Sequence, residues 1–188
     1  MPSTLLIMRH GRAKNNDIPD VGDEIIVDAP LTDIGRIQLQ RLCEGGRLEQ
    51  YRRFVKFSSS MLRARQTARI LFPGENIVED PAFNEIDTSL HEKYRYHIPD
   101  SVLREHRYES SYGESILEFY TRCIGRIGRV MEQHDNVVII THAGVLNAIF
   151  HHYTGIAFSA FPVLHIENGC GVEFSLEEGR LAKMSFLS

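Results

Sequence analysis

A chain of 188 residues with net charge −4, 43% hydrophobic and 24% charged, is long enough to bury one substantial core as a single soluble domain spanning 1–188. That balance advertises neither nucleic acid nor a membrane as partner, no apolar run reaches bilayer length, and the first strand starts too near Met1 to leave room for a signal peptide. Cys43, Cys123 and Cys170 are widely spaced, which suits free thiols in a cytoplasmic protein and gives them no catalytic role.

Leu5-Leu6-Ile7-Met8 reads as a buried strand ending at Arg9-His10-Gly11, where a glycine lets the backbone turn. The polar stretch 11–30 is long for a connection, and long ordered loops are often functional. Thr32 or Asp33 can cap a helix whose apolar face is marked by Ile34, Ile37, Leu42 and Leu48, with Gly45-Gly46 ending it early. A second strand, Phe54 to Phe57, runs into Ser58-Ser59-Ser60, and a helix through Ala64, Thr67, Ala68 and Leu71 stops at Pro73-Gly74. Ile77-Val78 is a short third strand.

Residues from about 86 to 112 break the alternation with four tyrosines, three histidines and three arginines, and read as an inserted lid. Ser115 and Glu118 then form a capping box for a helix with Ile116, Phe119, Tyr120, Cys123, Ile124, Ile127, Val130 and Met131 on one face. Arg122, Arg126 and Arg129 fall on the opposite face, expected to be solvated. Val137 to Ile140 is a fully apolar run typical of a central parallel strand. It ends at Thr141-His142-Ala143-Gly144 and leads into a helix with Val145, Leu146, Ile149 and Tyr153. Alternation through Val172, Phe174 and Leu176, then Leu181 and Phe186, across Glu178-Gly179 predicts an antiparallel hairpin at one edge. The expected fold is α/β: a three-layer α/β/α sandwich with a mostly parallel central sheet, one antiparallel edge and the inserted lid.

Three strand-to-helix junctions carry Arg9-His10, Arg63 and His142. Strand carboxyl ends in a parallel sheet share one edge, so these groups can face one crevice. Two guanidiniums and two imidazoles there, helped by helix N-termini, suit a small dense anion such as phosphate. A plain binding pocket is the simpler alternative. The paired histidines favour chemistry, because an imidazole is a poorer phosphate clamp than arginine unless it also attacks or donates a proton. His151-His152 point in different directions on a helix and cannot easily chelate one ion.

Arg9-His10-Gly11, Leu31-Thr32 with Gly35 and Gln38, Ser58-Ser59 through Arg63-Ala64 with Gln66-Thr67-Ala68, and Val138 through His142-Ala143-Gly144 resemble, in order, the histidine phosphatase superfamily, in its phosphoglycerate-mutase-like branch (branch 1). The resemblance implies that His10 is the nucleophile, forming a phosphohistidine, and that Arg9, Arg63 and His142 bind and stabilise the transferring phosphoryl group. Gly11, Asn16 and Ala143 would complete the substrate pocket, with Asn15 competing with Asn16 for its place. Glu85 stands where the branch has its proton donor, with Asp87 the nearby competitor; the branch whose acid directly follows the second histidine is excluded by Ala143. Gln38 would buttress the site, and Thr141 would either orient His142 or end its strand. Arg12, where many relatives are acidic, would draw in a more anionic substrate or point to solvent.

The implied activity is hydrolysis of a phosphate monoester, needing neither metal nor other cofactor, on a small-molecule ester or a phosphoprotein, in a possible homodimer. The alternatives are a mutase-like phosphotransferase or a non-catalytic phospholigand-binding protein on the same fold. The sequence after Glu85 lacks the Gly-x-Trp-Glu-Gly pattern of many mutases, and the chain has no tryptophan, which tilts the expectation to hydrolysis. The insert at 88–112 would set the substrate or pack as a surface cap.

Overall fold

A computed structural model describes residues 2–16, 28–86, 113–157 and 162–188. Asp87 and the insert at 88–112 lie outside these described residues. The described strands form one sheet, in the order β3-β2-β4-β1-β5-β6. They are β1 (Ser3–Arg9), β2 (Val55–Ser58), β3 (Ile77–Glu79), β4 (Asn136–Thr141), β5 (Gly171–Glu177) and β6 (Arg180–Leu187). β1, β2, β3 and β4 run parallel, while β5 pairs antiparallel with β1 and with β6. The expected mixed α/β sheet and its antiparallel edge are therefore present.

The two central strands are apolar on both faces because both faces are covered. Leu5, Ile7, Val137 and Ile139 join one core cluster, with Phe119, Cys123 and Ile127 of α3 (Ile116–Gln133) and Val145, Leu146 and Ile149 of α4 (Ala143–Thr154). Leu6, Met8, Val138 and Ile140 join the other, with Leu39 of α1 (Asp33–Glu44) and Ala64, Ala68 and Leu71 of α2 (Leu62–Leu71). Strand residues alternate in direction, so each neighbour goes to the opposite layer. None of the helices is long and apolar enough to cross a membrane among the described residues.

The capping box of α3 forms as the sequence predicts, with Ser115 and Glu118 each bonding the other's backbone N–H. The expected apolar face of α1 forms only in part: Leu42 packs on the second core cluster and Leu48, beyond the helix end, is buried in it. Ile34 and Ile37 are 57% and 48% exposed, and the helix instead buries Gly35 and Leu39. Gly35 decides this, because a Cβ there would collide with the Arg12 carbonyl and lie 2.9 Å from the Arg12 nitrogen. Helix α1 thus rests its glycine face on the loop after β1. Thr32 is the cap of α1, accepting from Gly35 N, while its own N–H and hydroxyl reach the Arg12 carbonyl.

Candidate active site

Register places the chemistry. Arg9 pairs with Thr141 across β1 and β4, and Ser58 pairs with Ile140 across β2 and β4. The ladder continues one residue further, with His10 N donating to Thr141 O at 2.8 Å and Ser59 N to Ile140 O at 2.9 Å. His10, His142 and Ser59 therefore leave adjacent strand ends side by side, with His142 in the middle. The His10 and His142 rings meet edge to face, centroids 5.1 Å apart. Arg63, in the first turn of α2, donates from Nε to His10 Nε2 at 3.1 Å.

His10 is buried, and its Nδ1 lies 2.7 Å from the Gly11 carbonyl. A carbonyl only accepts, so Nδ1 carries the proton and Nε2 holds the lone pair. Burial, then the Arg63 charge, push this imidazole down to about 3; it is neutral through the physiological range. The loop behind it is pinned. Gly11 N donates to Thr67 Oγ1, whose hydroxyl donates to Arg63 O, and Asn168 Nδ2 donates to His10 O.

Arg9 donates from Nη1 to Ile166 O at 2.7 Å, while its buried Nε has no partner among the described residues. Burial lowers the affinity of Arg9 and Arg63 for their protons, opposed by the Glu85 charge. Both stay cationic, as guanidiniums do. The buried Nδ1 of His142 is likewise unpartnered among the described residues. Orphaned buried polar atoms demand an explanation, and a bound oxyanion would supply it.

Glu85 follows a 3-10 turn (Pro81–Phe83) whose Asp80 side chain caps it by accepting from Ala82 N. Its carboxylate accepts from Ile86 N and from Gly144 N, the latter at the positive end of α4. Burial raises the Glu85 carboxyl above its ordinary range, against the pull of those two N–H groups and of Arg63 and Arg9. Ala143 opens α4 beside it. Asn16, exposed, uses its carbonyl to hold Ala13 N and Asn168 Nδ2, so its own amide is what it can offer a ligand.

Thr141 ends β4, the second of its two expected roles, and its hydroxyl also donates to Phe83 O at 2.6 Å, tying the Glu85 turn to the sheet. Three other expectations fall here. Gln38 is exposed on α1 beside Arg41 and Arg47 and does not buttress the site; Gln66 holds Leu31 N instead. Arg122 is not solvated, because its guanidinium forks onto Glu114 at 2.7 Å and donates to Ala82 O at 2.7 Å and Asn84 O at 3.3 Å. Arg126 bonds Asp80. Arg12 is exposed. Of the adjacent histidines, His151 is buried and His152 exposed, so they do diverge.

Arg122→Ala is expected to cost about 1.5–3 kcal/mol, the range for charge-assisted hydrogen bonds. Side-chain exposures of 27% and 21% for Arg122 and Glu114 keep the figure below that of a fully buried pair. A urea titration should show a lower midpoint at unchanged slope, and Arg122→Lys should recover little of it, lacking the planar fork. Full stability of Arg122→Ala would return it to the surface role.

Reasoning from sequence missed Ser59, Asn84, Asn147 and Asn168 as supports. Asn84 Oδ1 accepts from Ser59 Oγ, Ser60 N and Ser60 Oγ. Asn147 bonds the backbone of Ala143, Val163 and Leu164 and so sets the segment that presents Ile166 O to Arg9. Only Ser59 lay inside a recognisable motif.

The model of the histidine phosphatase superfamily (branch 1) matches residues 5–186. The chain is 24% identical over 178 residues to 6-phosphofructo-2-kinase/fructose-2,6-bisphosphatase of Caenorhabditis elegans, covering 88% of this chain and 37% of that one. It is 24% identical to phosphoserine phosphatase 1 of Hydrogenobacter thermophilus, covering 94% of this chain and 88% of that one. It thus spans about a third of the length of the bifunctional relatives, which include the Gallus gallus protein (27% identical, 35% covered). Bacillus stearothermophilus YhfR superposes with a TM-score of 0.77 at 23% identity, covering 95% and 93% of the two chains. The α-ribazole phosphatase of Shigella flexneri gives 0.74 at 22%, covering 94% and 92%; both likenesses concern the fold. With the family model running from the first strand to the last, the chain belongs to branch 1 of the histidine phosphatase superfamily.

Proposed function

We propose that the protein is a metal-independent phosphatase that hydrolyses a phosphate monoester through a phosphohistidine on His10. The observation that carries this reading is the state of His10: neutral, protonated on Nδ1 by its bond to Gly11 O, and holding its Nε2 lone pair beside Arg63 and His142. Phosphatase activity in the names of the relatives supports it.

In this mechanism the phosphoryl oxygens draw the Arg63 and Arg9 guanidiniums, and Arg63 releases the Nε2 lone pair. Nε2 attacks phosphorus as the bond to the ester oxygen breaks. Arg9, Arg63 and His142 hold the charge on the equatorial oxygens. Glu85 gives its proton to the leaving oxygen, then accepts one from the water that attacks the phosphohistidine, returning His10 and releasing inorganic phosphate.

A panel of phosphate monoesters, from aryl phosphate to sugar phosphates, phosphoserine and a phosphopeptide, tests the reading; complete inactivity would leave the non-catalytic phospholigand binder. Because burial raises the Glu85 carboxyl, its acid form persists to higher pH, and kcat should fall as pH rises through that value. Glu85→Gln should remove this limb and lower kcat by about 10²–10⁴-fold for esters with poor leaving groups. An aryl phosphate, whose leaving group needs no proton, should lose much less. An unchanged pH profile in Glu85→Gln would reassign the acid.

A further inference from the structure

His142 is buried, and its Nε2 lies 2.8 Å from Ser59 Oγ. Which of the two donates follows from the next residue along. Asn84 Oδ1 accepts the Ser60 backbone N–H at 2.9 Å, which identifies that atom as the amide oxygen and fixes the flip of the side chain. Ser59 Oγ stands 2.8 Å from the same oxygen, so its hydroxyl proton must point there. Turned the other way, two oxygen lone pairs would face each other at contact distance. Ser59 Oγ is then an acceptor toward everything else, and it also accepts Met61 N at 3.1 Å. His142 must therefore donate to it from Nε2.

We propose that Asn84, acting through Ser59, is a positioning residue that holds His142 in its Nε2–H form, so that the Nδ1 lone pair faces substrate and takes the proton of a phosphate monoanion. This rests on the phosphatase reading in one respect, that phosphate is the ligand. The dianion of a phosphate monoester offers only lone pairs, and set against the Nδ1 lone pair it would be repelled. The same group with one proton donates P–O–H to Nδ1, and the imidazolium that results bridges Ser59 and a phosphoryl oxygen. The third cation of the site is created by binding, beside the permanent charges of Arg9 and Arg63. His10 takes the opposite arrangement, Nδ1–H toward Gly11, so one imidazole is poised to attack and the other to receive a proton.

The groups facing His142 are Arg9 from β1 and His10 just past its end, Arg63 from α2, Arg122 from α3, and Glu85 across the α4 N-terminus. Burial first, and then the permanent charges of Arg63, Arg9 and Arg122, hold the free imidazole neutral, well below its usual value. Glu85 also gains or loses a proton near the ligand, so the test is made in Glu85→Gln protein.

Nitrogen-15 spectra of histidine-labelled protein at pH 8, with His142→Gln assigning the signal, read the tautomer directly. Free His142 should show the Nε2–H form, and saturating methylphosphonate, whose dianion carries no proton just as that of a monoester carries none, should convert it to imidazolium. Ser59→Ala removes the acceptor; its free His142 should become a tautomer mixture and remain neutral with methylphosphonate bound. Asn84→Leu should follow Ser59→Ala. Asn84→Asp, still an acceptor of the Ser59 hydroxyl, should keep the wild-type pattern. Calorimetry in buffers of different ionisation enthalpy should find about one proton fewer taken up per methylphosphonate by Ser59→Ala, since an imidazole binds one.

On the ester most dependent on the site, Ser59→Ala should lose between about 10-fold and the roughly 10⁴-fold that a wrong imidazole tautomer can cost. An Nδ1–H tautomer in the free protein, identical spectra in Ser59→Ala, or no response to saturating methylphosphonate would each overturn the proposal. The spectra need no turnover. If they come out as stated while no ester in the panel is hydrolysed, it is the phosphatase reading that fails.

Discussion

Replacing His10 by alanine should lower kcat on whatever monoester the protein turns over by about 10⁴–10⁶-fold, the scale reached when a covalent nucleophile is removed. The size follows from the role. Without Nε2 the phosphohistidine at position 10 cannot form, and Arg9, Arg63 and His142 are left to bind substrate and stabilise charge for direct attack by water. Binding should survive, since the guanidiniums are untouched: inorganic phosphate should compete in the variant much as in the wild type. Rapid quenching of the wild type into alkali with labelled ester should trap a phosphoenzyme that decays in acid, as a phosphorus–nitrogen bond does. His10→Ala should trap none. A variant that still accumulates a phosphoenzyme would move the nucleophile elsewhere, and His142 would be the first residue to test.

The same substitution has a second, independent signature. His10 is neutral in the fold down to about 3, whereas an unfolded histidine binds its proton near 6.5. Between those values the unfolded chain holds the extra proton, so stability rises with pH across the window and is lost as pH falls through it. The slope from one such group is about 1.4 kcal/mol per pH unit. From pH 7 to pH 5, His10 alone should take away about 2 kcal/mol. His142, also held neutral by burial, adds to the loss. The stability of His10→Ala should therefore depend less steeply on pH than that of the wild type, whatever cavity the substitution leaves. Parallel curves would mean that His10 is charged in the native state.

The parts of the fold that the sequence disclosed are those in which one residue pattern has one physical cause. Val137 to Ile140 is apolar throughout because both faces of β4 are covered. Ser115 and Glu118 are spaced to bond each other's backbone, and they do so. His10, Arg63 and His142 were legible as one cluster because strand ends in a parallel sheet line up without detailed knowledge of packing, and the three side chains do meet. What stayed hidden depends on who sits opposite. Ile34 and Ile37 have helical spacing toward a face that α1 does not bury, since Gly35 lies against the Arg12 backbone. Arg122 looks like any surface cation until three backbone carbonyls and Glu114 surround it. Asn84 and Asn147 are ordinary polar residues whose importance lies in partners 16 to 25 positions away.

Gly144→Ala should lower kcat by about 10²–10⁴-fold, the range for loss of a general acid, the role proposed for Glu85. On propensity alone the change ought to help, because alanine is favoured over glycine in a helix by about 1 kcal/mol, and Gly144 lies in the first turn of α4. Tertiary contact reverses that. A Cβ at this position would collide with Glu85 Oε1, and would stand 3.1 Å from its Cδ and 3.2 Å from Phe119 Cζ. The carboxylate has to leave the Gly144 N–H, 3.1 Å away, that now holds it at the helix end, and with it goes the aim of its proton. Affinity for inorganic phosphate should change little, since Arg9, Arg63 and His142 are not displaced, and the high-pH limb of the kcat profile should vanish as it does in Glu85→Gln. Combining the substitution with Glu85→Ala separates this cause from a general disturbance of α4. With the carboxylate gone the added methyl meets much less, so Gly144→Ala should then cost almost no further activity, the non-additivity expected of two residues acting as one unit. It should also raise the urea midpoint of Glu85→Ala protein. A double variant that falls well below Glu85→Ala in activity would show that Gly144 serves the site in some way other than by making room for its acid.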